Sequence, residues 1–466
     1  MNQHSVKAKI TNIISFTSKT LMSCYKNCLN KFNIKYQHLF IIVVSLIFIP
    51  SIVTLSYIKY FGVNVPWLDE WNYLPIIDKF LSGTITFSDL WSQHNEHRLV
   101  ILNILVPLLA SVTHYNVKIE MYISWIVSLG SFLVILKLYI EKFGKSLKSL
   151  MMFIPAAWLF FSLIQYENII MGTQLQVYLT VFGFICAIYF IRNNNSYLNL
   201  LAAIIFGVVS TFSQINGLIV WPIGLIYIYI LHYKNWAKAS IIWGISGLLA
   251  WISYFYNWVH PASSPSMLYI LEDPLNSLAY IFVNIGAPIS GVYHIIGIIS
   301  SFVIGVIIFI LILLALRYVI NNKLVKKNST WITFILFSLG TTMLCVVGRS
   351  GFGVGQAVSS RYITMTVLGI IGLYFILIGS YNTSINNRKN LQLATAIVIT
   401  FMIVGVAIGF VYGVYEGYKT NNTRTNEVKL LENYNSLTDQ QKEIIYPYEG
   451  LLSQYVQILH KYNFSY

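Results

Sequence analysis

Charge is scarce in this chain, and acid is scarcer still. Only 10% of the 466 residues are charged, and the 30 Lys and Arg outnumber 16 Asp and Glu. No acidic residue precedes Asp69. With 56% hydrophobic and 15% aromatic residues and a mean hydropathy of +0.66, an ordinary soluble domain is excluded.

Cysteine is sparse too. Cys24 and Cys28 fall in the basic N-terminal segment and Cys186 and Cys345 within apolar runs, so no disulfide framework is spaced out along the chain. A lone C-x3-C without further ligands nearby is a weak metal signal, and all four read as reduced, structural thiols. No compact basic surface exists either. The net charge of +14 is scattered in short clusters between apolar runs, which is the positive-inside pattern of membrane proteins and excludes nucleic acid as a partner. A cleavable leader is not expected. The apolar run at 39–60 follows six lysines, is too long for a signal core and has no clear small-residue cleavage site.

What the chain does have is apolar runs of the ~18–20 residues that a helix needs to cross a bilayer. They fall near 39–60, 120–138, 150–164, 174–191, 197–212, 215–231, 239–258, 297–317, 329–347, 362–380 and 391–412. The expected fold is therefore an all-α polytopic membrane protein with about eleven transmembrane helices. The basic loops at 137–148, 192–195, 232–238, 317–327 and 382–389 are assigned to the cytoplasm together with a basic N-terminus at 1–38. That parity leaves 99–115 and 278–294 as interfacial or re-entrant helices. Residues 39–414 form the transmembrane domain, 61–98 its first outer loop, and 415–466 a small polar segment on the outer side.

A topology drawn from Lys and Arg alone puts nearly all the unusual polar residues on one face. These are WLDEW (67–71) and SQHNEHR (92–98) in the first outer loop, QYENIIMGTQLQ (165–176), SQING (213–217) and GRSGFGVGQAVSSRY (348–362). An outward-facing enzyme or carrier site explains this segregation; a structural role does not.

Asp69 and Glu70 directly follow the first span among Trp67, Trp71 and Tyr73. A carboxylate there is partly desolvated and suited to general-base work, the alternative being an interfacial acid in an aromatic belt. His94, Asn95, Glu96, His97 and Arg98 concentrate polar chemistry in five positions; on a helix His94, His97 and Arg98 share a face. H-x-x-H lacks the spacing of a zinc helix, so recognition of sugar hydroxyls or a phosphate stands beside metal ligation and loop ordering. Glu167, Asn168 and Gln174 sit at the mouth of a span, in a polar cavity or in helix-to-helix hydrogen bonds. Arg349 and Arg361, with Tyr362, flank a glycine-rich loop on the side where Arg is disfavoured, so they are candidate phosphate ligands, with snorkelling to headgroups as the rival.

An acidic pair just after the first span, in a long outer loop with a juxtamembrane helix, resembles the GT-C glycosyltransferases. Within that superfamily the chain looks like bacterial enzymes that decorate O-antigen or other surface polysaccharide, including serotype-converting glucosyltransferases. The resemblance implies a GT-C-like fold in the bacterial inner membrane, N-terminus cytoplasmic and C-terminus periplasmic, and a hexose moved from a polyprenyl-phosphate donor to a lipopolysaccharide or other glycan acceptor. Asp69 would be the base, Arg349 or Arg361 would bind the donor phosphate, and the C-terminal segment would help engage the acceptor. Some members need a divalent metal; no strong ligand set is visible here. The rivals are an O-antigen polymerase or ligase and a transporter of lipid-linked oligosaccharide. A transporter is expected to carry midplane charges and an internal repeat, and neither stands out.

Overall fold

A computed structural model describes residues 37–193, 196–232, 235–381 and 388–464. Most of the basic N-terminus expected at 1–38, with Cys24 and Cys28, lies outside the described residues, as do parts of the connections at 192–195, 232–238 and 382–389.

The chain is a multi-pass, nearly all-helical membrane protein. The first helix, α1 (Gln37–Phe61), leads into a polar loop carrying α2 (Leu74–Leu81) and α3 (Val100–Thr113). There follow α4 (Val117–Phe143), α5 (Leu147–Phe160), α6 (Leu175–Arg192), α7 (Tyr197–Ser213), α8 (Val220–Leu231) and α9 (Trp236–Phe255). The second half holds α10 (Pro274–Ser290), α11 (Ile295–Asn321), α12 (Val325–Arg349), α13 (Ser360–Tyr381), α14 (Arg388–Glu432) and α15 (Glu449–Lys461). Among the described residues nine helical stretches are long and apolar enough to cross a bilayer, counting Leu147–Ile170, which carries α5 onward, as one. The other two runs counted in the sequence form the shorter apolar helices Tyr197–Ser213 and Ile215–Leu231.

The two stretches that broke parity, 99–115 and 278–294, have both their ends on one end of the bundle. At the start of α3, Arg98 is bonded to the backbone of Tyr254 and Tyr256; just past its end, the Tyr115 hydroxyl donates to the Glu70 carbonyl at 2.7 Å. Helix α10 begins at an Asp273 cap followed by Pro274, a pairing that sets a helix start. Along its length Asn276 donates to the Ser350 carbonyl and Asn284 to that of Ala357, and beyond it the Tyr293 amide donates to the Tyr412 hydroxyl, so the helix lies under the 350–358 loop.

Helix α14 presents glycines at every fourth position, Gly405, Gly409, Gly413 and Gly417, which share one face. Other chain segments press against that stripe: the end of α10 at Gly405, Ser162 at Gly409, Leu163 at Gly413 and Tyr57 of α1 at Gly417. The Tyr57 hydroxyl donates to the Gly413 carbonyl at 2.5 Å. Such small-residue seams are how membrane helices approach closely without a hydrophobic drive between them.

Helix α14 runs unbroken past 414, the expected end of the membrane domain, to Glu432, since the fall in hydropathy near 415 brings no proline and polarity alone does not stop a helix. The segment beyond it folds onto the first loop. Asn72 Oδ1 accepts from the hydroxyls of Tyr446 (3.0 Å) and Tyr455 (3.2 Å), and Trp71 stacks on Tyr455. Leu452, Tyr455 and Val456 share an apolar core with Trp71, Leu74 and Ile77.

Polar groups separate to opposite ends of the bundle. At one end Lys142 bonds Asn328 (2.6 Å) and Arg192 pairs with Glu141 (3.2 Å), drawing three basic connections together. At the other lie the first loop, the 350–358 loop and α15. Cys186 and Cys345 are buried free thiols.

Candidate functional site

The acidic pair divides its labour because it lies on a 3-10 turn, Leu68–Tyr73, where successive side chains point about 120° apart. Glu70 turns inward and is fully buried. Its Oε2 accepts from the Trp67 amide at 2.6 Å and its Oε1 from the amides of Gly172 (2.5 Å) and Thr173 (3.4 Å). Only glycine fits at 172, because a Cβ would meet the carboxylates of both Glu120 and Glu70. Burial pushes the Glu70 carboxyl up to about 7, although Arg424 and the three backbone donors oppose it. Glu70 therefore staples the loop to the turn before α6.

Asp69 turns outward and keeps 35% of its side chain exposed, 3.8 Å from His94 Nε2. Burial raises its carboxyl, but contact with His94 and the charges of His94, Arg361 and His97 outweigh this and hold it below the usual carboxylate range.

The 93–98 stretch is a β-hairpin, correcting the helical-face reading. Strands β1 (Gln93–His94) and β2 (His97–Arg98) pair antiparallel, with Asn95 at the turn at φ 49°. His94 and His97 are directly opposed, so they still share a face, while Arg98 points the other way. Gln93 clamps the backbone of Val259 from both sides, accepting from its amide and donating to its carbonyl. Arg98 is 3% exposed and its three guanidinium nitrogens donate to the carbonyls of Tyr254, Trp91 and Tyr256. All three of its nitrogens are engaged in holding the hairpin to the end of α9 and to Trp91. Asn95 is exposed and touches His94.

The two arginines differ. Arg349 Nη2 donates to Glu96 Oε2 at 2.5 Å, and Ser264 donates to the other Glu96 oxygen. Burial raises the Glu96 carboxyl, but Ser264, Arg349 and His97 outweigh it, so Glu96 stays ionised and Arg349 is neutralised. Arg361 is held more loosely, with Nε 3.6 Å from Glu167 Oε2. Ser360 also donates to Glu167, at 2.5 Å. Asn168, fully buried, donates to the carbonyls of Ser360 and Arg361 and to Thr364, fixing the start of α13 by helix-to-helix bonding. Gln174 is buried against Met171 and borders neither cavity described next.

Two cavities open beside these residues. A polar groove of about 300 Å³ is lined by Glu167, Arg361, Ser359, Tyr293 and Lys419. A chamber of about 210 Å³ is lined by Glu96, His97, Arg349, Tyr362, Gln214 and Asn216. The neighbours Arg361 and Tyr362 border one each, and Asp69 is within electrostatic reach of Arg361 on one side and His97 on the other. Burial pushes the His97 ring down to about 4, against the opposing charge of Glu96, so it is neutral at physiological pH.

Gln214 and Asn216 were not placed in the site from sequence, although SQING had been marked as unusually polar. What would have singled them out is amide chemistry at a break between two apolar helices, where no helix hydrogen bond needs them. Among the described residues no group of three His, Cys, Asp or Glu side chains is arranged to hold a metal; the Asp69–His94 pair has no third ligand beside it. No family model matches the chain, and neither does any curated protein or solved structure.

Proposed function

We propose that the chain is a membrane glycosyltransferase that moves a hexose from a polyprenyl-phosphate donor to a surface glycan on the periplasmic face. The observation that supports this best is Asp69, a half-exposed, ionised carboxylate within electrostatic reach of Arg361, which lines one cavity, and of His97, which lines the other.

In this reading Asp69 accepts the proton of an acceptor hydroxyl as that oxygen bonds the anomeric carbon. The bond from that carbon to the phosphate oxygen breaks, and the lipid phosphate leaves with its electron pair, stabilised by Arg361. A single displacement with one base inverts the anomeric centre. Glu70 and Arg98 position the loop. Arg349, committed to Glu96, is the weaker phosphate candidate of the two arginines.

The test is transfer of radiolabelled sugar from polyprenyl-phosphate hexoses to surface glycan in membranes, wild type against Asp69→Asn at matched expression. Activity in the wild type and its loss in the variant support the reading. Full activity in Asp69→Asn removes Asp69 as the base, and no transfer from any donor in wild type removes the activity.

A further inference from the structure

The chamber contains a combination rare in a folded interior. Asn216 is 4% exposed and its Nδ2, a donor, has no hydrogen-bond partner among the described residues. Gln214 is 7% exposed and its Oε1, an acceptor, has none either. His97 Nδ1 is in the same condition. All three residues line one cavity, and buried polar atoms are ordinarily paired because leaving them bare is costly. Trp258 and Phe255 add aromatic surface to the same wall.

These groups have a common chemical reading. A donor, an acceptor and a neutral ring nitrogen around an aromatic wall match alternating hydroxyls and C–H faces, the surface of a pyranose. The one ion pair on the wall, Glu96 with Arg349, is internally neutralised, so the chamber does not select a charged ligand. Its volume of about 210 Å³ lies below the ~300–1,000 Å³ usual for drug-sized ligands, which suits a single ring and not a chain of sugars. The groove beside Arg361 is the larger of the two, at about 300 Å³, and holds the cationic groups Arg361 and Lys419 that a phosphate needs.

We infer that this chamber is the seat of the transferred hexose, with Gln214, Asn216 and His97 reading its hydroxyls. The inference rests on the transferase reading above and adds to it where the sugar is held and by which groups. The phosphate stays at Arg361 and the sugar turns under Tyr362, its anomeric carbon toward Asp69.

Two apolar replacements of similar size, Gln214→Leu and Asn216→Leu, carry the test. Each relieves an orphaned buried polar atom, so each is expected to raise the midpoint of thermal unfolding of the detergent-solubilised protein. Each is also expected to raise KM for the polyprenyl-phosphate hexose about tenfold, with KM for the glycan acceptor unchanged. A merely structural residue would lower the midpoint instead. As an independent arm, saturation-transfer NMR with methyl gluco-, galacto- and mannopyranosides is expected to show contact in wild type and none in Asn216→Leu. If transfer proceeds while both variants keep donor KM and hexoside contact, the chamber is not the sugar site. If a hexoside binds through Asn216 but no donor supports transfer, the chamber stands and the transferase reading falls. If neither binding nor transfer is seen, both fall.

Discussion

Arg349 and Glu96 meet at 2.5 Å across 253 residues of sequence, joining the end of α12 to the hairpin of the first loop. Removing either partner strands the other in a mostly buried position. Glu96→Gln or Arg349→Ala alone is expected to destabilise by about 2 kcal/mol, discounted from the ~3–5 of a fully buried pair because the side chains keep some exposure. The double variant should cost less than the two singles summed, as a thermal-unfolding cycle will read. Strict additivity would mean the two are not coupled.

Asp69 titrates below the usual carboxylate range, so the acid limb of the transfer rate should lie below that range as well. A rate profile is expected to place its acid limb below that of an unperturbed carboxylate. His97→Asn removes one of the charges that lower Asp69 and should move the limb upward. A limb centred near neutrality in wild type would assign the base to a different group.

Arg361 and Arg349 should separate in steady-state kinetics. Arg361→Ala is expected to raise donor KM roughly ten- to a hundredfold, the worth of about 1.5–3 kcal/mol for a charge-assisted hydrogen bond. Arg361→Lys should recover only part of it, because the ammonium lacks the planar fork. Arg349→Ala should act mainly on stability. An equal rise in donor KM for both would show that the Glu96 pair opens on binding.

Glu70 makes stability depend on pH in a definite sense. Its carboxyl sits at about 7 in the folded chain against an ordinary 4.5. Below 4.5 both states are protonated and the contribution is intact; as pH rises the unfolded chain ionises first, and the contribution is lost through about 7. The unfolding midpoint of the wild type should therefore fall from pH 5 to pH 8. Glu70→Gln should flatten that slope. An unchanged slope would place the titration elsewhere.

The glycine seam of α14 gives the cleanest packing test. A methyl at Gly413 would collide with Leu163, so Gly413→Ala should cost about 1–3 kcal/mol through overpacking. Gly450, in α15, has nothing within 4 Å of an added Cβ, and Gly450→Ala should be neutral or slightly stabilising. Equal effects at both positions would mean that the seam is not close-packed.

Much of this architecture was legible in the sequence. Hydropathy located the spans, and charge parity singled out 99–115 and 278–294, whose helices have both ends on one side of the bundle. The acidic pair was found, but not its division of labour, since one residue along a 3-10 turn separates a surface base from a buried staple. Periodicity misled at 93–98, where i and i+3 spacing suits a helix face and a two-residue hairpin equally well. For Arg98 and Asn168 the sequence left ligand and structural roles side by side, because a buried hydrogen-bonding role leaves no mark in one dimension; the structure shows both in backbone hydrogen bonds. The glycine stripe of α14 was in plain view at period four, yet its meaning depends on what crosses it.

Helix α14 has 45 residues and at 1.5 Å per residue is about 68 Å long, more than twice the ~30 Å hydrocarbon thickness of a bilayer. Its far end carries Arg424, bonded to the Val65 carbonyl of the first loop, and leads into the tyrosines that grip Asn72. The helix is thus a lever with its fulcrum among the lipids and its load beside Asp69. A bilayer that thins or thickens tilts such a rod, and a few degrees at the base become several ångströms at the tip. The first loop is thereby tied to the membrane core by one continuous helix and not by a flexible linker.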